Sequence, residues 1–293
     1  MDELFKDATK FNADLSKWDV SRVTTMKQMF QVAFIFNTDL SKWDVSRVTM
    51  MWYMFGFTKK FNSDLSKWDV SHVKDMASMF NNAEVFKADL SKWDVARVTN
   101  MAFMFKEAYV FNADLSKWDV SHVTSTRRMF KEARAFNADL SKWDVASILW
   151  MGEMFAHATS FNADLSKWNV SRVYVYKSGM HDMTSHAMAN MFFEARSFNQ
   201  TLCGKAWIES EAVTVAMFKG SNGSISKTCG GWSIGIILLY FCSYLPITPT
   251  SYDFSLNYRP IRNRKPYHGW FHRRVYFYDV NANHYGNNHA GLY

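Results

Sequence analysis

Three residue types that enzymes use for catalysis lie close together at Asp14, Ser16 and Lys17. Serine and lysine can act as nucleophiles, and a nearby carboxylate can activate them. The same trio returns at six further places, each 25 residues after the last. A catalytic centre needs one preorganised, asymmetric pocket. The repetition therefore predicts that the protein is not an enzyme.

One cluster of candidate metal ligands occurs only once. His181, Asp182 and His186 lie within the segment 174–185 and the residue that follows it. Their spacing matches no strong ligand motif, and the chain contains neither a phosphate-binding loop nor an HExxH motif. We therefore expect no metal site and no cofactor.

The elements that carry these residues follow a strict internal repeat. The stretch FNADLSKWDV begins at Phe11 and returns, nearly unchanged, at intervals of 25 residues as far as Phe161. A fixed period of 20 to 50 residues is typical of a solenoid, in which each unit packs only on its neighbours. The tryptophan of each unit is expected to form one buried column, which consists of Trp18, Trp43, Trp68, Trp93, Trp118, Trp143 and Trp168. An exposed aromatic ladder for sugars or other flat ligands is the alternative for this column.

Each repeat reads as two halves. Apolar and polar residues alternate over Phe11–Leu15, which is typical of a short strand. Apolar residues then recur at steps of three and four from Val23 to Ala33, which predicts a short helix. The fold class predicted is an α/β solenoid of about eight coils, each a short parallel strand and a short helix.

Lysine recurs one residue before each tryptophan and is flanked by two aspartate columns, which begin at Asp14 and Asp19. The lysine column is either a solvated face of mixed charge or a regular surface for a polymeric partner. It is the candidate binding face and consists of Lys17, Lys42, Lys67, Lys92, Lys117, Lys142 and Lys167. An asparagine column that begins at Asn12 is interrupted by Lys87, and we expect it to hydrogen-bond to the backbone.

The repeat pattern defines the domains. Residues 1–222 form the repeat region, with about 12 residues inserted near 174–185 and a terminal cap at about 198–230. The tail, 231–293, has no repeat and is basic and aromatic, which favours either disorder or nucleic-acid binding. Its apolar segment 233–245 is shorter than the roughly 20 residues of a membrane-spanning helix. Cys203 is expected either to pair with Cys229, if the protein is exported, or to remain a buried thiol.

The motif F-N-x-D-L-S-K-W-D-V-S-x-V-T-x-M-x-x-M-F resembles the repeat of the BspA-like leucine-rich-repeat surface proteins. The resemblance covers about residues 1–222. It implies a right-handed leucine-rich-repeat solenoid at a cell surface that serves adhesion or protein binding. No signal peptide precedes the first repeat, and Met1 aligns with the middle of a unit, so a fragment or an internal start is expected.

These features favour a non-enzymatic solenoid that binds a protein or a glycan. The alternatives are nucleic-acid binding through the tail and a truncated fragment with no independent function. A nucleic-acid function would require salt-sensitive binding that disappears with residues 231–293. We expect no membrane span, and the sequence gives no oligomeric state.

Overall fold

The computed structural model describes residues 1–173, 187–210, 212 and 214–227. All of these residues belong to one compact unit, Met1–Ser233. Three regular elements occur in the described residues: strand β1 (Thr201–Leu202), helix α1 (Lys205–Ile208) and strand β2 (Ser224–Ile225). The two strands pair in parallel. The predicted tail, 231–293, and its apolar segment 233–245 lie outside the described residues.

Backbone hydrogen bonds connect each repeat to the next. The amide of Met101 donates to the carbonyl of Ser125 at 3.0 Å, and that of Phe103 donates to Arg127 at 2.8 Å. Alternate residues thus pair with the residue 24 positions later, as in a parallel ladder. The same register gives a series of isolated parallel bridges: Thr25↔Met50, Met50↔Asp75, Asp75↔Asn100, Asn100↔Ser125 and Ser125↔Trp150.

The helix predicted over residues 23–33 is not observed. Consecutive turns take its place. In the fourth repeat, for example, the amide of Met104 donates to Met101 and that of Ala108 donates to Phe105, each three residues back. The turns put an apolar residue inside at steps of three and four, which is the spacing of a helix stripe. The hydrogen bonds distinguish these turns from a helix, because the remaining amides donate to carbonyls of the neighbouring repeat and not to carbonyls of their own repeat.

Two residues in each of these turn segments adopt left-handed backbone angles. Phe103 has φ 60° and Glu107 has φ 58°, and equivalent residues of other repeats do the same. A positive φ at the third position defines a type II turn. For a residue with a side chain this conformation costs roughly 1–2 kcal/mol. The inter-repeat hydrogen bonds of the same residues help to offset that cost.

Stacked phenyl rings fill the interior. The ring of Phe105 lies 5.6 Å from that of Phe80 in the preceding repeat and 3.9 Å from that of Phe111. Both stacks continue through the repeats, and the phenylalanines from Phe30 to Phe161 in these stacks are fully buried. The methionines Met101 and Met104 are buried beside them. These buried phenylalanines and methionines, here called the apolar seam, are therefore continuous from repeat to repeat.

The short strand predicted at Phe11–Leu15 is also not observed, and side chains connect the repeats there instead. The Asn12 Oδ1 atom accepts the Asn37 amide at 2.8 Å, and the same bond recurs along the column. The backbone amide of Lys87 donates to Asn62 Oδ1 at 2.8 Å, but the Lys87 side chain has no acceptor for the amide of the next repeat. The asparagine column thus has the backbone-bonding role that was predicted for it.

The register resumes after the insertion. The amide of Asn199 donates to Asn162 Oδ1 at 3.0 Å across 37 positions, which is one period of 25 plus 12. The ring of Phe198 lies 6.0 Å from that of Phe161, as in an ordinary pair of neighbours. The 12 added residues thus leave the ladder and the seam in step. The inserted segment itself lies outside the described residues.

Thr126 interrupts the buried methionine column, and we expect Thr126→Val to stabilise the protein by about 1 kcal/mol. Its side chain is fully buried, and its hydroxyl has no hydrogen-bond partner. Removing an unpaired buried hydroxyl removes a desolvation penalty. The measurement is the urea unfolding midpoint. Thr99→Val is the matched control, because the Thr99 hydroxyl donates to the Lys74 carbonyl at 3.1 Å. A lower midpoint for Thr126→Val than for wild type would contradict the expectation.

We propose that this pattern of neighbour-to-neighbour bonds makes the repeat region a solenoid. Support comes from the ladder, the bridges and the phenyl stacks, each of which links a repeat to the next one. Its units differ from the predicted ones, because turns replace the helix and a segment without regular secondary structure replaces the strand. The right-handed sense remains a prediction.

Candidate functional site

The tryptophan column divides into six buried members and one exposed member. Trp43, Trp68, Trp93, Trp118, Trp143 and Trp168 are 1–4% exposed, whereas Trp18 is 39% exposed. Each buried indole donates to the carbonyl of the leucine 28 positions earlier, and the Trp93–Leu65 distance is 3.0 Å. Trp207 makes the same bond to Leu165 at 2.9 Å although it comes two positions late in its repeat. This burial and these hydrogen bonds indicate that the buried tryptophans are structural residues.

The lysine column lies on the surface beside the aspartates. All seven lysines are exposed. The neighbouring aspartates close local turns: Asp14 Oδ1 accepts the amide of Ser16 at 2.8 Å, and Asp19 Oδ1 accepts the Ser21 amide and hydroxyl. Asp14 and Ser16 of the trio that resembled catalytic residues therefore close a backbone turn, which supports a structural interpretation of their recurrence.

These turns hold the carboxylates in their charged form. Hydrogen bonds from the Ser16 amide and hydroxyl keep the pKa of Asp14 below its ordinary value, and the positive charge of Lys17 adds to the effect. The hydroxyl and then the amide of Ser21 lower the pKa of Asp19 in the same way. The pKa is lowered likewise for Asp39, Asp44, Asp64, Asp69, Asp89, Asp114, Asp119 and Asp139.

We expect acid to destabilise the protein through these groups. A carboxyl whose folded pKa is depressed stabilises the fold above its unfolded pKa, about 3.9 for aspartate, and that contribution is lost as the pH falls through the folded pKa. The urea midpoint should therefore fall steadily below about pH 4. The double variant Ser21→Ala/Ser46→Ala removes two hydroxyl donors and should reduce the slope. Alanine already occupies the equivalent positions 96 and 146. A midpoint that is constant from pH 6 to pH 3 would contradict the prediction.

A second surface is made of positions that differ between repeats. The residues that form the bridges are Thr25, Met50, Asp75, Asn100, Ser125 and Trp150 in successive repeats. Two positions further on stand Lys27, Trp52, Ala77, Ala102, Arg127 and Gly152. Because the ladder fixes the backbone, side chains of very different chemistry fit the same place. We call these two columns the variable face.

The variable face contains a groove of about 440 Å³, here named the Trp150 groove. It spans three repeats and is lined by Asn100, Ala102, Phe103, Thr124, Ser125, Arg127 and Trp150. Trp150 is 42% exposed, and the Arg127 guanidinium lies 5.6 Å from the centre of the Phe103 ring. These residues do not appear in the consensus sequence of the repeats. A comparison of the same position in successive repeats could have revealed them.

Next to this groove lies an ion-pair cluster centred on Glu153, which is 7% exposed. Its carboxylate accepts a hydrogen bond from Arg128 Nε at 2.9 Å and one from Lys131 Nζ at 2.7 Å. Burial by itself would raise the pKa of Glu153, but the bonds from the two cations outweigh it and keep that pKa below its ordinary value. The cluster connects neighbouring repeats, and both carboxylate oxygens of Glu153 accept hydrogen bonds from its cations.

Three other predictions concern a metal site, a membrane span and a disulfide bond. His181, Asp182 and His186 lie outside the described residues. Within the described ranges, no group of three or more His, Cys, Asp or Glu is placed to hold a metal ion. Nor does the described part of the chain contain a helix long and apolar enough to cross a membrane. Cys203 is disulfide-bonded, and its predicted partner Cys229 is outside the described residues.

Comparison with known proteins places the repeat region in a family. No curated protein and no solved structure matches the chain. One family model, described as "Mycoplasma protein of unknown function, DUF285", matches in three successive regions, 1–93, 83–187 and 182–232. These regions cover the 25-residue repeats and the segment that follows the insertion. The chain therefore belongs to the DUF285 family of repeat proteins, whose function is unknown.

Proposed function

We propose that this protein is a non-enzymatic binding protein, a leucine-rich-repeat-type solenoid of the BspA-like kind that acts at a cell surface in adhesion. Its ligand is a protein or a glycan. The observation that carries the proposal is the variable face: the buried core and the Asp–Ser turns are nearly constant, whereas the side chains on the bridge columns differ between repeats, from half-buried Asp75 and Asn100 to exposed Trp150. Constant framework with variable exposed columns is what a repeat protein needs to recognise a ligand along its length.

Two further observations support the proposal. The disulfide at Cys203 suits an oxidising compartment, such as the outside of a cell. Asp14 and Ser16 of the Asp14–Ser16–Lys17 trio are accounted for by their turn, so the recurrence of these two residues needs no catalytic explanation. Family membership is in keeping with a repeat protein and leaves the ligand open.

The test is a binding panel of surface glycans and of host or neighbouring proteins. Both the full chain and a variant that ends at residue 230 should give the same hits. Binding that requires residues 231–293 would contradict the proposal and would favour the tail, with nucleic acid as the next ligand to examine at low salt.

A matched variant separates the two candidate faces. Lys67→Gln/Lys92→Gln/Lys117→Gln removes three neighbouring charges of the lysine column, all of them exposed. Hits that survive this change and depend on the variable face would show the lysine column to be a solvated surface. Hits that are lost, with the unfolding midpoint unchanged, would make the lysine column the binding face.

A further inference from the structure

We propose that Asn169 and Asn199 carry N-linked glycans. Each of these asparagines begins the acceptor motif for N-linked glycosylation, Asn-x-Ser/Thr, which occurs at 169–171 as NVS and at 199–201 as NQT. The modification takes place during export, so this inference rests on the cell-surface location in the proposed function. The disulfide at Cys203 is a second feature that suits an exporting compartment.

Asn199 differs in its bonding from the other members of the asparagine column. Asn12 Oδ1, like that of every other asparagine in this column, accepts a backbone amide of the next repeat, and aspartate follows two positions later, as at Asp14. Among the described residues, Asn199 Oδ1 accepts only the side-chain amide of Gln200, at 3.5 Å, and Thr201 follows. In this column the acceptor motif thus occurs only at an asparagine whose side chain bonds to no later repeat in the described part of the chain.

Asn169 replaces an aspartate that the six preceding repeats carry at the same position. Its Oδ1 atom accepts the amide and the hydroxyl of Ser171 at 3.2 and 2.7 Å, as Asp19 Oδ1 does with Ser21. Because the turn uses only this oxygen, an aspartate would close it equally well. What asparagine adds is its Nδ2 group, which donates to no other group within the described ranges. The Nδ2 atom, to which a glycan would be attached, is therefore not needed by the fold.

Both acceptor motifs lie on the surface. Their asparagines and the hydroxyl-bearing residues of the motifs are exposed, namely Asn169, Ser171, Asn199 and Thr201. A glycan at either place therefore displaces no core residue. Neither asparagine belongs to the variable face, so glycans at these positions leave that face available to a ligand.

A third acceptor motif, NGS at 222–224, lies beside the second one. The amide of Asn222 donates to the carbonyl of Phe198 at 2.9 Å, so Asn222 and Asn199 lie on neighbouring backbone segments. Such segments are about 4.8 Å apart, which is too close for two glycans. We expect Asn199 to be the one modified, because it is synthesised first.

The modification is a substitution at the sugar. The asparagine Nδ2 atom attacks C1 of an oligosaccharide that is linked to a lipid pyrophosphate. The bond between C1 and the pyrophosphate oxygen breaks, the lipid pyrophosphate leaves, and Nδ2 loses one proton. The lipid-linked oligosaccharide and its transferase belong to the exporting compartment, and this chain supplies only the acceptor.

Mass spectrometry of the full chain isolated from its own cells tests the inference. A peptide N-glycosidase applied in H₂¹⁸O removes each N-linked glycan and leaves an ¹⁸O-labelled aspartate, and a sample without enzyme corrects for spontaneous deamidation. We expect label at positions 169 and 199. A position without label is excluded as a site, and a protein labelled at neither position overturns the inference. If that unlabelled protein is accessible to surface biotinylation, the proposed function stands, whereas a protein found only inside the cell contradicts both.

Variants that restore the repeat consensus are the matched controls, expressed as the full chain behind a signal sequence in secreting cells. Asn169→Asp introduces the aspartate of the preceding repeats and should remove one glycan, seen as one step of faster migration on a denaturing gel. Its urea midpoint after deglycosylation should equal that of the wild type. Ser171→Ala should remove the same glycan although the asparagine is intact, and Ser46→Ala, in the same turn of a repeat without the motif, should remove none.

The second site needs a double variant. Thr201→Asp again restores the consensus, and Ser224→Ala removes the third motif so that Asn222 cannot replace Asn199 as the acceptor. The double variant should lose one glycan. An unchanged migration of this variant, or of Asn169→Asp, would overturn the assignment of the corresponding site.

Discussion

Replacing Trp93 by alanine should reduce the free energy of unfolding by about 3–5 kcal/mol. The indole is 3% exposed, its Nε1 donates to the Leu65 carbonyl at 3.0 Å, and its ring lies 6.3 Å from that of Phe80. Truncation would create a cavity and leave a buried carbonyl without its donor, and both effects destabilise. The measurement is urea unfolding followed by circular dichroism.

Trp18→Ala is the internal control for this prediction. Trp18 has the same sequence neighbours, but it is 39% exposed. Its replacement should cost clearly less, about 1 kcal/mol. Equal losses for the two variants would mean that the local motif, and not the packing between repeats, gives the tryptophans their effect.

Deleting one whole repeat, residues 86–110, should leave a folded protein, whereas deleting half of it, residues 86–97, should abolish cooperative unfolding of the repeat region. The bonds between repeats join residues 24 or 25 positions apart. After the full deletion Phe111 would follow Val85, so Phe61 would stack on Phe111 in place of Phe86. Each repeat contacts its neighbours, and removal of one shortens the array without breaking it.

The two deletions are compared by circular dichroism and by the urea dependence of unfolding. The full deletion should reduce the m-value, because less surface is exposed on unfolding. The half deletion would shift every later phenylalanine out of the seam and every asparagine out of its column. A half deletion that still unfolds cooperatively with an unchanged midpoint would refute the solenoid proposal.

The repeats themselves act as a natural substitution series. The same ladder position holds Asp75, Asn100, Ser125 and Trp150, and the bridges persist. The fold therefore tolerates very different side chains at this position. That freedom is the reason why the variable face, and not the constant lysine column, is our choice for ligand recognition.

The sequence alone was sufficient for the period, for the buried tryptophans after the first one, for the asparagine column and for the 12-residue offset before Phe198. All of these depend on spacing, and spacing is preserved when a chain packs on copies of itself. Sequence periodicity was not sufficient for the local backbone. Steps of three and four at Val23–Ala33 fit a helix and a series of turns equally well.

Tertiary structure decided between those two, because the amides of alternate residues find their acceptors in the next repeat and not in their own turn. It also decided which side chains meet. Trp150 and Arg127 belong to different repeats and to positions without a consensus, so only the stacking brings them to one groove. Likewise, Trp18 differs from Trp43 in exposure although its motif is the same, since burial depends on a preceding repeat.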